Sequence, residues 1–303
     1  MVETLIVHPA FEYHGRRSPL LGYKDLIEAS VVNVAPERGA ELTALTHSRR
    51  IQLEFDHEPG FALRVFTDLP CVFLSIRGLE YLWAAAYCYV TWHDAYINEQ
   101  MLIPAGSVGE LELSGDPLCA EAIIVLRATI NNLFAEHLSP WPNAFVAPDR
   151  NRVDGSLQHQ ADELFLCAIG WILHHEIGHV VRGHGPASVE AHAEEFDADE
   201  EAIQWVLRDA PQNTVIKRGL GIVSAIVAIR GVSRGASTHP DPEYRLDRVL
   251  NTPRIQGDEM VGMFAVVALQ CQCAVQGNRI KIESETLDDI IADLLIASSR
   301  IPK

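Results

Sequence analysis

Residues 164–181 read LFLCAIGWILHHEIGHVV, and within them His175, Glu176 and His179 form an H-E-x-x-H pattern. The run contains no proline, follows Ser156 and gives way to Gly183, Gly185 and Pro186. With Ser156 as N-cap and glycine at the far end, it predicts one long, largely buried helix over about 157–182. Two histidines four apart on a helix project from one face and can share one Zn²⁺. The glutamate after the first histidine lies beside that metal, where it can take a proton from an attacking water. A single further ligand would leave one coordination position open, which marks a catalytic rather than a structural zinc.

The next segment offers that ligand. Glu195-Phe196-Asp197-Ala198-Asp199 falls within a second helical pattern over 189–208, whose apolar stripe is Ala193, Phe196, Ala202, Ile203 and Val206. Glu195 and Asp199 are four apart and share a face close to the stripe. A carboxylate there needs a cation or a donor, because an unpaired buried charge is costly. Zinc supplies this for Glu195, and the outer ring N–H of His175 supplies it for Asp199, fixing the tautomer of the ligand. The competing reading is that the acidic residues between Glu190 and Glu201 form only a solvated face.

These motifs, followed by STHPDPEYRLDRV at 237–249, resemble the gluzincin peptidases of the HtpX and CAAX-prenyl-protease type. In that group a helical HExxH precedes ExxxD and then a His-Pro segment with a downstream arginine. The resemblance covers roughly residues 160–250. It implies His175, His179 and Glu195 as zinc ligands, Glu176 as general base and Asp199 as the residue orienting a ligand histidine. It adds His239 and Arg245 near the substrate or behind the ligands. Those enzymes are usually membrane-embedded, and here no credible span is expected. Length and the aromatic stretch around Leu79–Tyr96 also resemble the Lit-type phage-exclusion peptidases, soluble bacterial HExxH enzymes, one of which acts on the translation elongation factor Tu. A role in phage defence is implied by that resemblance alone.

Other histidines fit the same chemistry less well. The longer metzincin pattern wants glycine three and histidine six residues after the second ligand. Those places hold Arg182 and Gly185, so the pattern is out of register and His184 is expected in a loop. His192 reads as a surface residue, and His174 points about 100° away from His175 on the helix. His239 precedes Pro240, which favours an extended or turn backbone. It could donate to an oxyanion formed at the scissile carbonyl, or sit in a helix-entry turn capped by Thr238 or Asp241.

The chain has 303 residues, enough for a substantial core in one large domain or two, with 48% hydrophobic and 21% charged residues. A net charge of −17 disfavours nonspecific attraction to nucleic-acid backbones; the expected partner, a protein or peptide substrate, follows from the peptidase motifs. The N-terminus lacks the pattern of a signal peptide, and Met260–Val275 is too short to span a bilayer comfortably. The six cysteines (Cys71, Cys88, Cys119, Cys167, Cys271, Cys273) show no C-x-x-C pair and read as small buried thiols. A cytoplasmic location follows as an expectation.

Along the chain, Ile51–Phe55 and Phe61–Phe66 alternate around Asp56–Gly60, which suggests a hairpin, with further strands around Leu5–Val7 and Ala29–Val34. Helices are predicted over 79–98, 117–138, 157–182, 189–208, 212–232, 242–251, 256–276 and 284–298, with a proline-rich break at Ser139–Asp149. The aromatic residues between Tyr81 and Tyr96 read as core packing. The expectation is an α+β, mostly α fold with a zincin-like helical catalytic core and a small N-terminal β-sheet or hairpin. Residues 1–75 would form a β-containing subdomain and 76–303 the helical metallopeptidase domain, the two making one compact unit. The function expected is zinc-dependent cleavage of a dedicated intracellular protein. The alternative is a zinc-binding regulatory or partner-sensing protein without turnover.

Overall fold

In the computed structural model the protein is described over residues 9–13, 16–61, 63–66, 71–100, 115–142, 145–184, 191–232, 242–277 and 286–299. The order is β1 (Glu12–Tyr13), β2 (Arg16–Arg17), α1 (Lys24–Asn33), α2 (Gly39–Arg49), β3 (Gln52–Asp56), β4 (Leu63–Phe66), β5 (Cys71–Ser75), α3 (Ile76–Gln100) and α4 (Pro117–Phe134). It continues with α5 (Leu157–Arg182), α6 (Ala191–Leu207), α7 (Gln212–Val232), α8 (Pro242–Leu250), α9 (Glu259–Val275) and α10 (Leu287–Ser299). The fold is α+β and mostly helical, as expected from the sequence.

Helix α5 runs through the middle of the molecule, with α1, α3, α6 and α7 packed around it. Its apolar residues are buried all round, Phe165, Trp171 and Leu173 fully so, which is the pattern of a core helix rather than a surface one. The Ser156 hydroxyl accepts the His159 backbone N–H at the start, and Gly183 ends the helix in the left-handed conformation (φ 69°). The aromatic helix α3 lies against it. Trp83 donates to Asp162 at 2.6 Å, and Tyr23 donates to the same carboxylate at 2.7 Å. Arg152 adds an ion pair, so this fully buried charge on α5 has three partners.

Two strand expectations are corrected. Strands β3 and β4 do form at the expected stretches, but they do not pair with each other. The sheet order is β3-β5-β4, with β5 parallel to β3 and antiparallel to β4. The turn after β3 is tied elsewhere, since the Gly60 N–H donates to the Leu133 carbonyl at the end of α4 at 2.6 Å. The most apolar segment, Cys71–Ser75, takes the centre, as a strand flanked on both sides should. The second correction is Ala29–Val34, which belongs to α1 and the turn that ends it. Ile27, Val31 and Val34 are buried at a spacing of four and three, the helical period. The expected strand at Leu5–Val7 lies outside the described residues.

By length and composition alone, α4 and α5 could cross a membrane, and both are longer than the 260–275 stretch singled out from the sequence. In α5, 72% of the apolar window is buried inside the protein. That is weak ground for a span. All six cysteines are free, and five of them are buried.

Candidate metal centre

Helices α5 and α6 meet where Gly178 faces Ala198, a contact between two small residues that brings the helices close. Ala198 itself is fully buried there. The two turns flanking this contact carry the polar groups. On α5, His175 Nε2 and His179 Nε2 lie 3.2 Å apart. From α6, Glu195 places Oε2 3.3 Å from His175 Nε2 and Oε1 3.4 Å from His179 Nε2. His175 and Glu195 are buried and His179 is half-buried. These three residues each offer one donor atom, all within 4.8 Å of one another, and could hold a metal ion.

Behind this face the histidines are braced. His175 Nδ1 lies 2.8 Å from Asp199 Oδ1. Asp199 in turn accepts two hydrogen bonds from Arg245 on α8, at 2.7 and 2.6 Å. All three side chains are buried. Burial alone would lower the His175 pKa, but the hydrogen bond and charge of Asp199, with Glu195 behind them, outweigh it and hold it up to about 9. Burial works against the Asp199 carboxylate as well, and there the Arg245 charge and His175 prevail, keeping its pKa below the usual range. The Trp171 ring, 5.4 Å from the Arg245 guanidinium and 6.0 Å from the His175 ring, walls off this chain of charges.

The outer nitrogen of His179 has a partner that the sequence reading missed. His184 Nδ1 lies 2.9 Å from His179 Nδ1. His184 does sit just beyond the helix, as expected, yet its ring turns back onto the site. The signal was present in Gly183, because a glycine stop places the residue after it against the helix's last turn. Burial and the neighbouring His179 ring lower the His184 pKa.

The remaining candidates separate cleanly. Glu176 is half-buried on α5, one residue round from His175. His174 is fully buried away from the centre, where Nε2 donates to the Val31 carbonyl at 2.9 Å and the ring stacks on Trp205. Burial, against that hydrogen bond, brings its pKa down to about 4. His192 is exposed. His239 lies outside the described residues.

The model of the peptidase U49 family matches residues 72–265, a span that contains every residue of this centre. The cell death peptidase of Escherichia coli (strain K12) is 28% identical over 300 residues, covering 94% of this chain and 99% of that protein. No solved structure matches. These comparisons support the peptidase reading and the likeness to the Lit-type enzymes, and they lend no support to the HtpX or CAAX-prenyl-protease type. The family match covers well over half of the chain, so the chain belongs to the peptidase U49 family.

Proposed function

We propose that the protein is a zinc-dependent endopeptidase of gluzincin type, with His175, His179 and Glu195 as ligands and Glu176 as general base. One observation carries the reading. His175 Nε2 and His179 Nε2 lie 3.2 Å apart and face the two oxygens of one buried carboxylate, Glu195 Oε2 at 3.3 Å and Oε1 at 3.4 Å. Two facing imidazole nitrogens and a carboxylate are donors of the type that would hold zinc.

Zinc, when bound, supplies a Lewis acid that polarises the scissile carbonyl and lowers the pKa of water toward neutrality. The protein's own groups do the rest. Glu176 takes the proton of the attacking water and passes it to the leaving amine. Asp199 holds the His175 ring in the orientation that turns Nε2 toward the ligand face, and Arg245 keeps Asp199 ionised. His239 is proposed as a donor to the oxyanion. Strand β4, an edge of the sheet that packs on α5, is the candidate for backbone pairing with an extended substrate. The substrate proposed is a dedicated intracellular protein, and phage defence is the setting that the likeness to the Lit-type peptidases suggests.

Glu176→Gln should abolish cleavage while zinc stays bound, whereas His175→Ala and His179→Ala should lose the metal. Cellular protein termini compared between wild type and Glu176→Gln would test turnover directly. Identical sets of termini would sink the proteolysis claim and leave the non-catalytic zinc-binding alternative standing. Unchanged phage plating across a varied panel would count against the defence role.

A further inference from the structure

The two histidines of the centre are held from behind by different chemistry, a braced carboxylate at His175 and a second imidazole at His179. We propose that His184 is a positioning residue for the metal centre, whose Nδ1 lone pair accepts the Nδ1–H of His179 and so turns a bare His179 Nε2 toward the ligand face. This rests on the reading of His175, His179 and Glu195 as a zinc site.

The backbone of the helix stop delivers His184. Gly183 adopts φ 69° and ψ 33°, a conformation that costs an L-residue about 1–2 kcal/mol. The His184 N–H then donates to the His179 carbonyl at 3.1 Å. This is the long bond of a glycine-ended helix, in which the residue after the glycine meets the residue five positions earlier, usually through an apolar contact. Here the pair is His184 and His179, with ring centroids 5.0 Å apart and planes at 71°. The geometry suits an N–H aimed at a lone pair rather than stacked rings.

The tautomers follow. A neutral imidazole carries one N–H and one lone pair. His179 Nε2 faces His175 Nε2 at 3.2 Å, where a lone pair is needed for a ligand. Its hydrogen therefore sits on Nδ1, and at 2.9 Å His184 Nδ1 must accept it. The opposite assignment would put the hydrogen on Nε2 and block ligation.

The test is zinc affinity of metal-free protein, measured by competition with a chromophoric chelator at fixed pH. Wild type is compared with His184→Ala, His184→Phe and His184→Asn, and circular dichroism verifies that each keeps its helices. Asn places an acceptor oxygen where Nδ1 stood, while Phe keeps bulk without an acceptor. Ala and Phe should weaken zinc binding by about 10–100-fold, and Asn should restore most of it. Wild-type affinity in Phe or in Ala, or an Asn variant as weak as Ala, would overturn the role of His184. A wild-type protein that binds no zinc would instead overturn the metal reading beneath it.

Discussion

Asp199 carries its charge in a site closed to water, between a guanidinium at 2.6 Å and an imidazole at 2.8 Å. Such a group is stable only while both partners remain, because the lost hydration is recovered through them. Removing Arg245 leaves a buried carboxylate with one partner instead of two. Arg245→Met should therefore destabilise the metal-free protein by about 3–5 kcal/mol in chemical denaturation. Adding Asp199→Asn should recover part of that loss, since the neutral amide needs no counter-charge, and strictly additive effects would show that the pair does not act as a unit. Of this chain of groups, the Asp199–His175 contact was legible from spacing, because both positions follow from helical periodicity. Arg245 entered only through a family resemblance. Its partner lies 46 residues away in sequence, and no local rule joins them.

At the scale of elements, the centre depends on how closely α5 can be approached from α6 and α7. Gly221 of α7 is the tightest case along α5. A Cβ there would lie 2.4 Å from Cys167 Cβ and 3.1 Å from the Cys167 carbonyl carbon. Because these are atoms at or next to the backbone, the helices would have to separate. Gly221→Ala should cost about 1–3 kcal/mol of unfolding free energy by overpacking, despite the higher helix propensity of alanine. A stabilised variant would show that α7 yields easily. Helices α3 to α10 were legible as helical patterns, and the predicted ends of α5 and α7 match the structure; α1 and α2 fall in the first 75 residues, which were read as β-containing. The strands were less so. Alternation identified β3 and β4 as strands, but pairing is decided by which apolar segment lies between them, and Cys71–Ser75 was not recognised as that segment.

Across the whole molecule, α1 and the turn after it are fastened to α5 and its neighbours. Val34 lies against Gly170, and the Val31 carbonyl accepts from His174. Glu37 pairs with buried Arg218 of α7 at 2.5 and 2.9 Å, and Arg218 also donates to the Val206 carbonyl of α6. The hydrogen bond from Arg218 lowers the Glu37 pKa, against the opposing effect of burial. With a lowered folded-state pKa, the stabilisation is present above the unfolded value of about 4.3 and is lost as pH falls through the lower folded value. Glu37→Gln should thus cost about 2 kcal/mol at pH 7. Its deficit should shrink as the pH drops below about 4, where wild type loses the same charge. A pH-independent deficit in denaturant titrations would mean that packing, not the ion pair, holds the segment.

What the sequence by itself determined is which residues share the faces of the candidate centre and the helices that carry them. Residue type and short-range spacing set both, and a histidine four residues from another needs no tertiary information to share its face. Tertiary structure alone decided which strand is central, that Arg245 reaches Asp199, and that α1 packs on α5. Those outcomes depend on packing between segments far apart in the chain, where periodicity shows which face is buried but not what covers it. His184 stands between the two. Its neighbourhood is local and follows from Gly183, yet only the folded turn shows its ring laid against His179.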